Sequence, residues 1–132
     1  MAGYSKRSLR DKLGLKEGAS VALLGAPDSF VAEVNLKSKW DSRLLRETYD
    51  YIHVFTASRE DLAAKFPSLK AHLATDGLLW ISWPKKAAKV KTDLDENVIR
   101  DMGLAAGLVD VKVCAIDETW SGLKFVYRLK DR

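Results

Sequence analysis

The sequence predicts an α/β domain: a three-layer, doubly wound, mostly parallel sheet that ends in an antiparallel β-hairpin. Three observations carry that prediction. Short apolar runs of strand length, Val21 to Gly25, Tyr51 to Phe55 and Leu78 to Trp83, are separated by segments with helical spacing of apolar residues. The first run is continuous rather than alternating, the pattern of a strand buried on both faces, as in parallel sheets covered by helices. The pattern then changes near the C-terminus, where Val109 to Ile116 and Leu123 to Leu129 alternate around a turn at Ser121-Gly122.

In chain order, Ser5 can cap a short helix with Leu9 and Leu13 on one face, and Gly14 stands where a glycine ends a helix. After the first strand, Asp28 or Ser29 can cap a helix carrying Phe30, Val31 and Val34. Between Lys37 and Asp50 only Arg43-Leu44-Leu45-Arg46 reads as a brief strand. Ser58 with Asp61 resembles a capping box that opens a helix with Leu62, Phe66, Leu69 and Leu73 on its inner face. Pro67 is expected to kink or restart that helix, since proline has no amide donor for an interior turn, and Asp76-Gly77 to close it. The strand from Leu78 to Trp83 ends at Pro84. A polar loop then leads to a helix with Val98, Ile99, Met102 and Ala106, closed by Gly107.

Composition bounds the functional classes. With 132 residues, 47% apolar and 30% charged, the chain is expected to be one domain over 1–132 with a real core. The apolar runs are too short to span a bilayer, and the first ten residues carry Lys6, Arg7 and Arg10 with no apolar stretch after them, so a cytoplasmic protein is expected. The single cysteine, Cys114, lies within an apolar alternation and reads as a strand residue. A net charge of +4 is ordinary for solubility. The one local anomaly is Lys85, Lys86, Lys89 and Lys91, with no acid until Asp93.

The order after Asp50 resembles the second half of class I S-adenosylmethionine-dependent methyltransferases. Asp50-Tyr51-Ile52 looks like the start of their fourth strand, and Thr75-Asp76-Gly77-Leu78-Leu79 and Leu104-Ala105-Ala106-Gly107-Leu108 look like their turns. The chain is also similar to a family of small bacterial proteins labelled as a domain of unknown function. That likeness rests on Gly3-Tyr4-Ser5, Lys12-Leu13-Gly14-Leu15, Trp80-Ile81-Ser82-Trp83-Pro84-Lys85-Lys86 and Trp120-Ser121-Gly122-Leu123-Lys124-Phe125. These resemblances imply a truncated methyltransferase-like, Rossmann-like fold and a bacterial cytosolic protein, with no activity assigned to named residues. Methyltransferases of this class hold their cofactor on a glycine-rich turn after the first strand, which here reads Gly25-Ala26-Pro27-Asp28. Pro27 offers no amide donor there. They also use an acid to hold the ribose, and Glu47 stands at about the spacing, some 20 residues on, seen in dinucleotide folds.

Ligands of open parallel sheets settle beyond the carboxyl ends of the strands. Those ends present Asp28, Ser58, Trp83, Lys85, Lys86 and, from the next parallel strand, Glu118, Thr119 and Trp120. Two tryptophans and two lysines on one rim could stack on a planar group and attract phosphate or carboxylate; alternatively the tryptophans pack in the core and the lysines are a solvated loop. His53 reads as a core histidine, His72 as a surface residue. Asp117 and Glu118 point to opposite faces of a strand and cannot share a proton. Three functions follow. The leading one is a non-catalytic domain binding a small molecule or an acidic partner. The alternatives are a small methyltransferase using Gly25, Asp28 and Glu47, and a nucleic-acid-associated protein using the lysines with Trp83 as a stacking ring. No metal site is expected, and the cofactor, if any, is left open.

Overall fold

A computed structural model describes residues 7–132. A central five-stranded sheet runs in the order β1-β2-β3-β5-β4, built from β1 (Val21–Leu24), β2 (Tyr49–Phe55), β3 (Leu73–Pro84), β4 (Leu108–Ala115) and β5 (Trp120–Tyr127). The pairs β1–β2 and β2–β3 are parallel, whereas β5 inserts antiparallel between β3 and β4. The expected hairpin is therefore present, with β5 as its reversed strand, but its turn lies at Asp117 to Thr119, and Ser121-Gly122, expected in the turn, are paired within β5. Helices α1 (Leu9–Leu13), α2 (Asp28–Val34), α3 (Arg59–Ala71) and α4 (Glu96–Ala105) cover the two faces.

Side-chain alternation along the strands sorts the core into two layers. Ile52, Val54, Leu79, Ile81 and Trp83 point to the side of α3 and α4, where they meet Leu62, Phe66, Leu69 and Ile99. Tyr51, Phe55 and Trp80 point to the opposite side, against Leu13, Phe30 and Val34 from α1 and α2. Gly103 of α4 lies so close to β5 that an added Cβ would sit 2.0 Å from Phe125 Cε1, so only glycine lets that helix settle on the sheet.

Several local expectations are corrected. Ser5 lies outside the described residues, and the cap of α1 is Ser8, whose hydroxyl accepts from Asp11 N. Neither Asp28 nor Ser29 caps α2; Pro27 occupies that position and makes no side-chain bond to the helix. Arg43 to Arg46 forms no strand. The segment instead bends around the Tyr49 hydroxyl, which meets the amides of Leu45 and Arg46, and only Asp41 bridges to Ala22.

Pro67 sits inside α3 without breaking it. Its missing donor frees a single carbonyl, that of Ala63, on the exposed side of the helix, while Leu62, Phe66 and Leu69 hold both halves to the sheet. Asp76-Gly77 does not close α3, which ends at His72; the pair lies within β3. There Leu73 pairs with Tyr49 and Leu78 with Tyr51, so the residues between are extra on β3. Gly77 is needed because a Cβ would lie 3.0 Å from the Tyr49 carbonyl oxygen.

Candidate functional site

At the carboxyl edge of the sheet, β1 ends in Gly25 with φ of 69°, where an added Cβ would stand 2.8 Å from the Phe55 carbonyl oxygen. The glycine thus permits a turn and a close approach of β1 to β2. Pro27 follows, its carbonyl accepting from Phe30 N and Val31 N. The next strand end is tied up within the protein itself. Thr56 N donates to Ser82 O at 3.1 Å, Thr56 Oγ1 to Asp61 Oδ2 at 2.9 Å, and Ser58 N to Thr56 Oγ1 at 3.2 Å. The Ser58 hydroxyl caps α3 by accepting from Asp61 N at 3.1 Å, as its capping-box spacing predicts.

The loop before α4 closes over this edge. Thr92 Oγ1 donates to Ala57 O at 2.7 Å, and Asp93 Oδ1 accepts from Arg59 N at 2.7 Å. Burial alone would raise the Asp61 carboxyl, but hydrogen bonds from Lys65 and Thr56 and the Lys65 charge outweigh it and hold the group below its usual value. Thr92 and Asp93 were not legible as functional residues, since a polar loop shows no periodicity.

The structure separates the residues that the sequence groups into one rim. Trp83 is 7% exposed and lies in the α3/α4 layer, whereas Trp120 packs edge-on against Phe55 in the other layer, with ring centroids 5.3 Å apart. The two rings fall on opposite faces of the sheet. Lys85 N donates to Thr119 O at 2.8 Å; the Lys85 side chain is half-buried, while Lys86, Lys89 and Lys91 are exposed. Asp117 Oδ1 holds the amides of Thr119 and Trp120, each at 2.8 Å, and so shapes the hairpin turn.

Glu47 is exposed and lies just before β2, at the amino edge of the sheet. Gly25 follows Leu24, which pairs with Val54, close to the far end of β2. That strand is about 20 Å long at the usual rise per residue. Glu47 and Gly25 therefore do not meet in one site.

His53 is fully buried. Its Nδ1 lies 2.9 Å from Tyr51 Oη and its Nε2 2.6 Å from Ser82 Oγ. Burial lowers its pKa from 6.5 to about 3, so the ring is neutral at physiological pH. The serine–histidine geometry resembles that of a hydrolase, yet Ser82 is also fully buried; a substrate carbonyl has no approach, and the chain of bonds is structural. His72 donates from Nδ1 to Arg46 O at 2.8 Å. Among the described residues, no group of three or more His, Cys, Asp and Glu is placed to hold a metal ion, and no helix is long and apolar enough to cross a membrane.

Beside Gly25, on the α3 side, a cavity of ≈ 390 Å³ opens between the end of β1, the segment after Asp41 and α3. Leu24, Leu44 and Leu69 supply its apolar wall, and Ser42, Arg43, Lys65 and Ser68 its polar lining.

Solved structures of similar architecture include methyltransferases. A ribosomal protein L11 methylase from Lactobacillus delbrueckii subsp. bulgaricus matches with a TM-score of 0.56 and 14% identity, over 91% of this chain and 75% of that one. Magnesium protoporphyrin IX methyltransferase from Synechocystis PCC 6803 with bound SAM matches at 0.59 and 14%, over 91% and 74%. A SAM-dependent methyltransferase from Aquifex aeolicus matches at 0.58 and 16%, over 87% and 85%. No family model and no curated protein matches the chain. Identities this low speak to architecture alone: the chain carries the α/β fold of the S-adenosylmethionine-dependent methyltransferases, in a small version.

Proposed function

We propose that this chain is a non-catalytic binding domain on a methyltransferase-like scaffold, acting on a small molecule or an acidic partner. One observation carries the reading: at the carboxyl edge of the sheet, the polar groups that follow β2 are already bonded within the fold. Thr56, Ser58 and the Arg59 amide are engaged with Asp61, Asp93 and one another. Pro27 brings no amide donor, and the acid at Glu47 stands at the other edge. A group already hydrogen-bonded in the protein must lose that bond before it can grip a ligand, which removes much of the gain. The similarity to the small bacterial family fits the same proposal and takes the protein to act in the bacterial cytoplasm.

Isothermal titration calorimetry of the full chain with S-adenosylmethionine and S-adenosylhomocysteine tests the reading. No binding heat is expected from either; micromolar affinity for one of them would overturn it in favour of the small methyltransferase. Burial of Trp83 weighs against the nucleic-acid alternative, because the lysine loop then lacks the stacking ring that a single-strand site uses.

A further inference from the structure

We infer that the cavity beside Gly25 is a binding site for a small organic anion, a carboxylate or phosphate monoester carrying an apolar body; this rests on the proposed binding role and names its ligand class. The volume, ≈ 390 Å³, falls in the range of small-molecule sites, roughly 300–1,000 Å³. Its wall of Leu24, Leu44 and Leu69 suits a ring or short alkyl group, and Ser42 and Ser68 add hydroxyl donors at the polar side.

The charge of the lining decides the ligand's sign. Asp61 is paired with Lys65 at 3.1 Å, so this pair brings almost no net charge. Asp41, the nearest acid to Arg43 in the chain, accepts from the Tyr49 hydroxyl at 2.5 Å and faces Arg46 at 3.6 Å. Arg43 is exposed and enters none of the ion pairs among the described residues. A guanidinium presents a planar fork that matches carboxylate or phosphate in a two-pronged contact. An adenosyl sulfonium would instead bring its positive centre to a lining whose net charge is that of the Arg43 guanidinium.

Nuclear magnetic resonance titration of the isotope-labelled full chain with phenyl phosphate, with inorganic phosphate and benzyl alcohol as half-ligand probes, tests the site. Phenyl phosphate is expected to move the amide signals of Gly25, Ser42, Arg43, Lys65 and Ser68, with each half-ligand binding more weakly. Arg43→Gln should weaken phenyl phosphate by roughly tenfold, the scale of one charged hydrogen bond. Ala64→Trp should block it by filling the cavity, and Lys86→Gln should leave it unchanged. Arg43 and Ala64 are exposed, so both variants keep the fold, as unshifted signals from Ile99 and Phe125 would verify. Absence of shifts at the cavity, indifference to Arg43→Gln, or equal weakening by Lys86→Gln would each overturn the site. Silence toward both phenyl phosphate and S-adenosylmethionine removes only this ligand class, whereas S-adenosylmethionine binding removes the parent proposal.

Discussion

The two faces of the sheet are held by a different balance of apolar burial and directed bonds. On the α3/α4 side, hydrocarbon dominates: Ile52, Val54, Leu79, Ile81, Phe66, Ile99 and Phe125 pack with little polar content. On the α1/α2 side, two short helices are fixed by directed bonds. Trp80 Nε1 donates to Leu13 O at 2.8 Å and Lys112 Nζ to Lys12 O at 3.1 Å, so two of the last carbonyls of α1 are answered from the sheet. Beneath them runs the buried chain Tyr51–His53–Ser82, with His53 stacked on Phe55 at 4.3 Å. A helix of α1's length has little stability of its own. Directed bonds set its position where bulk burial is insufficient; the longer α3 and α4 receive such bonds too, from Tyr127 Oη to Lys70 O at 2.9 Å and from Lys70 Nζ to Ala106 O at 2.7 Å, but add them to a broader apolar contact.

Substitutions should separate the two regimes, and the largest loss belongs to the hydrocarbon face. Phe125→Ala removes the ring on which Gly103 and Phe66 rest and should cost about 3–5 kcal/mol in urea denaturation. A cost under about 1 kcal/mol would mean that α4 is not anchored there.

The polar face should respond to acid. The folded-state pKa of His53, about 3, lies below its ordinary 6.5, so as pH falls below 6.5 the unfolded chain takes up the proton first. The stability contributed by the neutral ring is complete above that value and declines as pH falls toward the folded-state pKa. Between neutrality and pH 5 the loss should be about 2 kcal/mol. It should disappear in His53→Gln; an unchanged slope in that variant would assign the acid sensitivity elsewhere.

The smallest effect is local. Lys112→Met removes a cation from the end of α1 and should cost about 0.5 kcal/mol. It should be read as faster hydrogen exchange at Leu13 and Leu15 with α3 and α4 unaffected. Uniform acceleration across both faces would show that α1 opens only with the whole domain.

Legibility in the sequence followed the range of the interaction. Strands β1 and β2, the Ser58 cap and the terminal hairpin were evident because apolar period and cap spacing are local signals. The segment before Tyr49 was misread because its conformation is set by a hydroxyl group outside it, and Asp76-Gly77 because a strand bulge and a helix stop favour the same residues. For the candidate site, Gly25 and the strand ends were legible, but the partners that occupy them, Thr92 and Asp93, lie more than thirty residues further along the chain from Ala57 and Arg59.

By itself the sequence determined the alternation of strands and helices, and with it a mostly parallel sheet, since apolar periodicity fixes which face each residue shows. Tertiary structure alone decided that Trp83 and Trp120 face opposite layers, that Glu47 and Gly25 stand at opposite edges, and that Arg43 joins Lys65 around a cavity. The physical reason is register. Side-chain direction reverses with each residue of a strand, and pairing between distant strands sets which ends coincide, so residue type and spacing along the chain do not specify who meets whom.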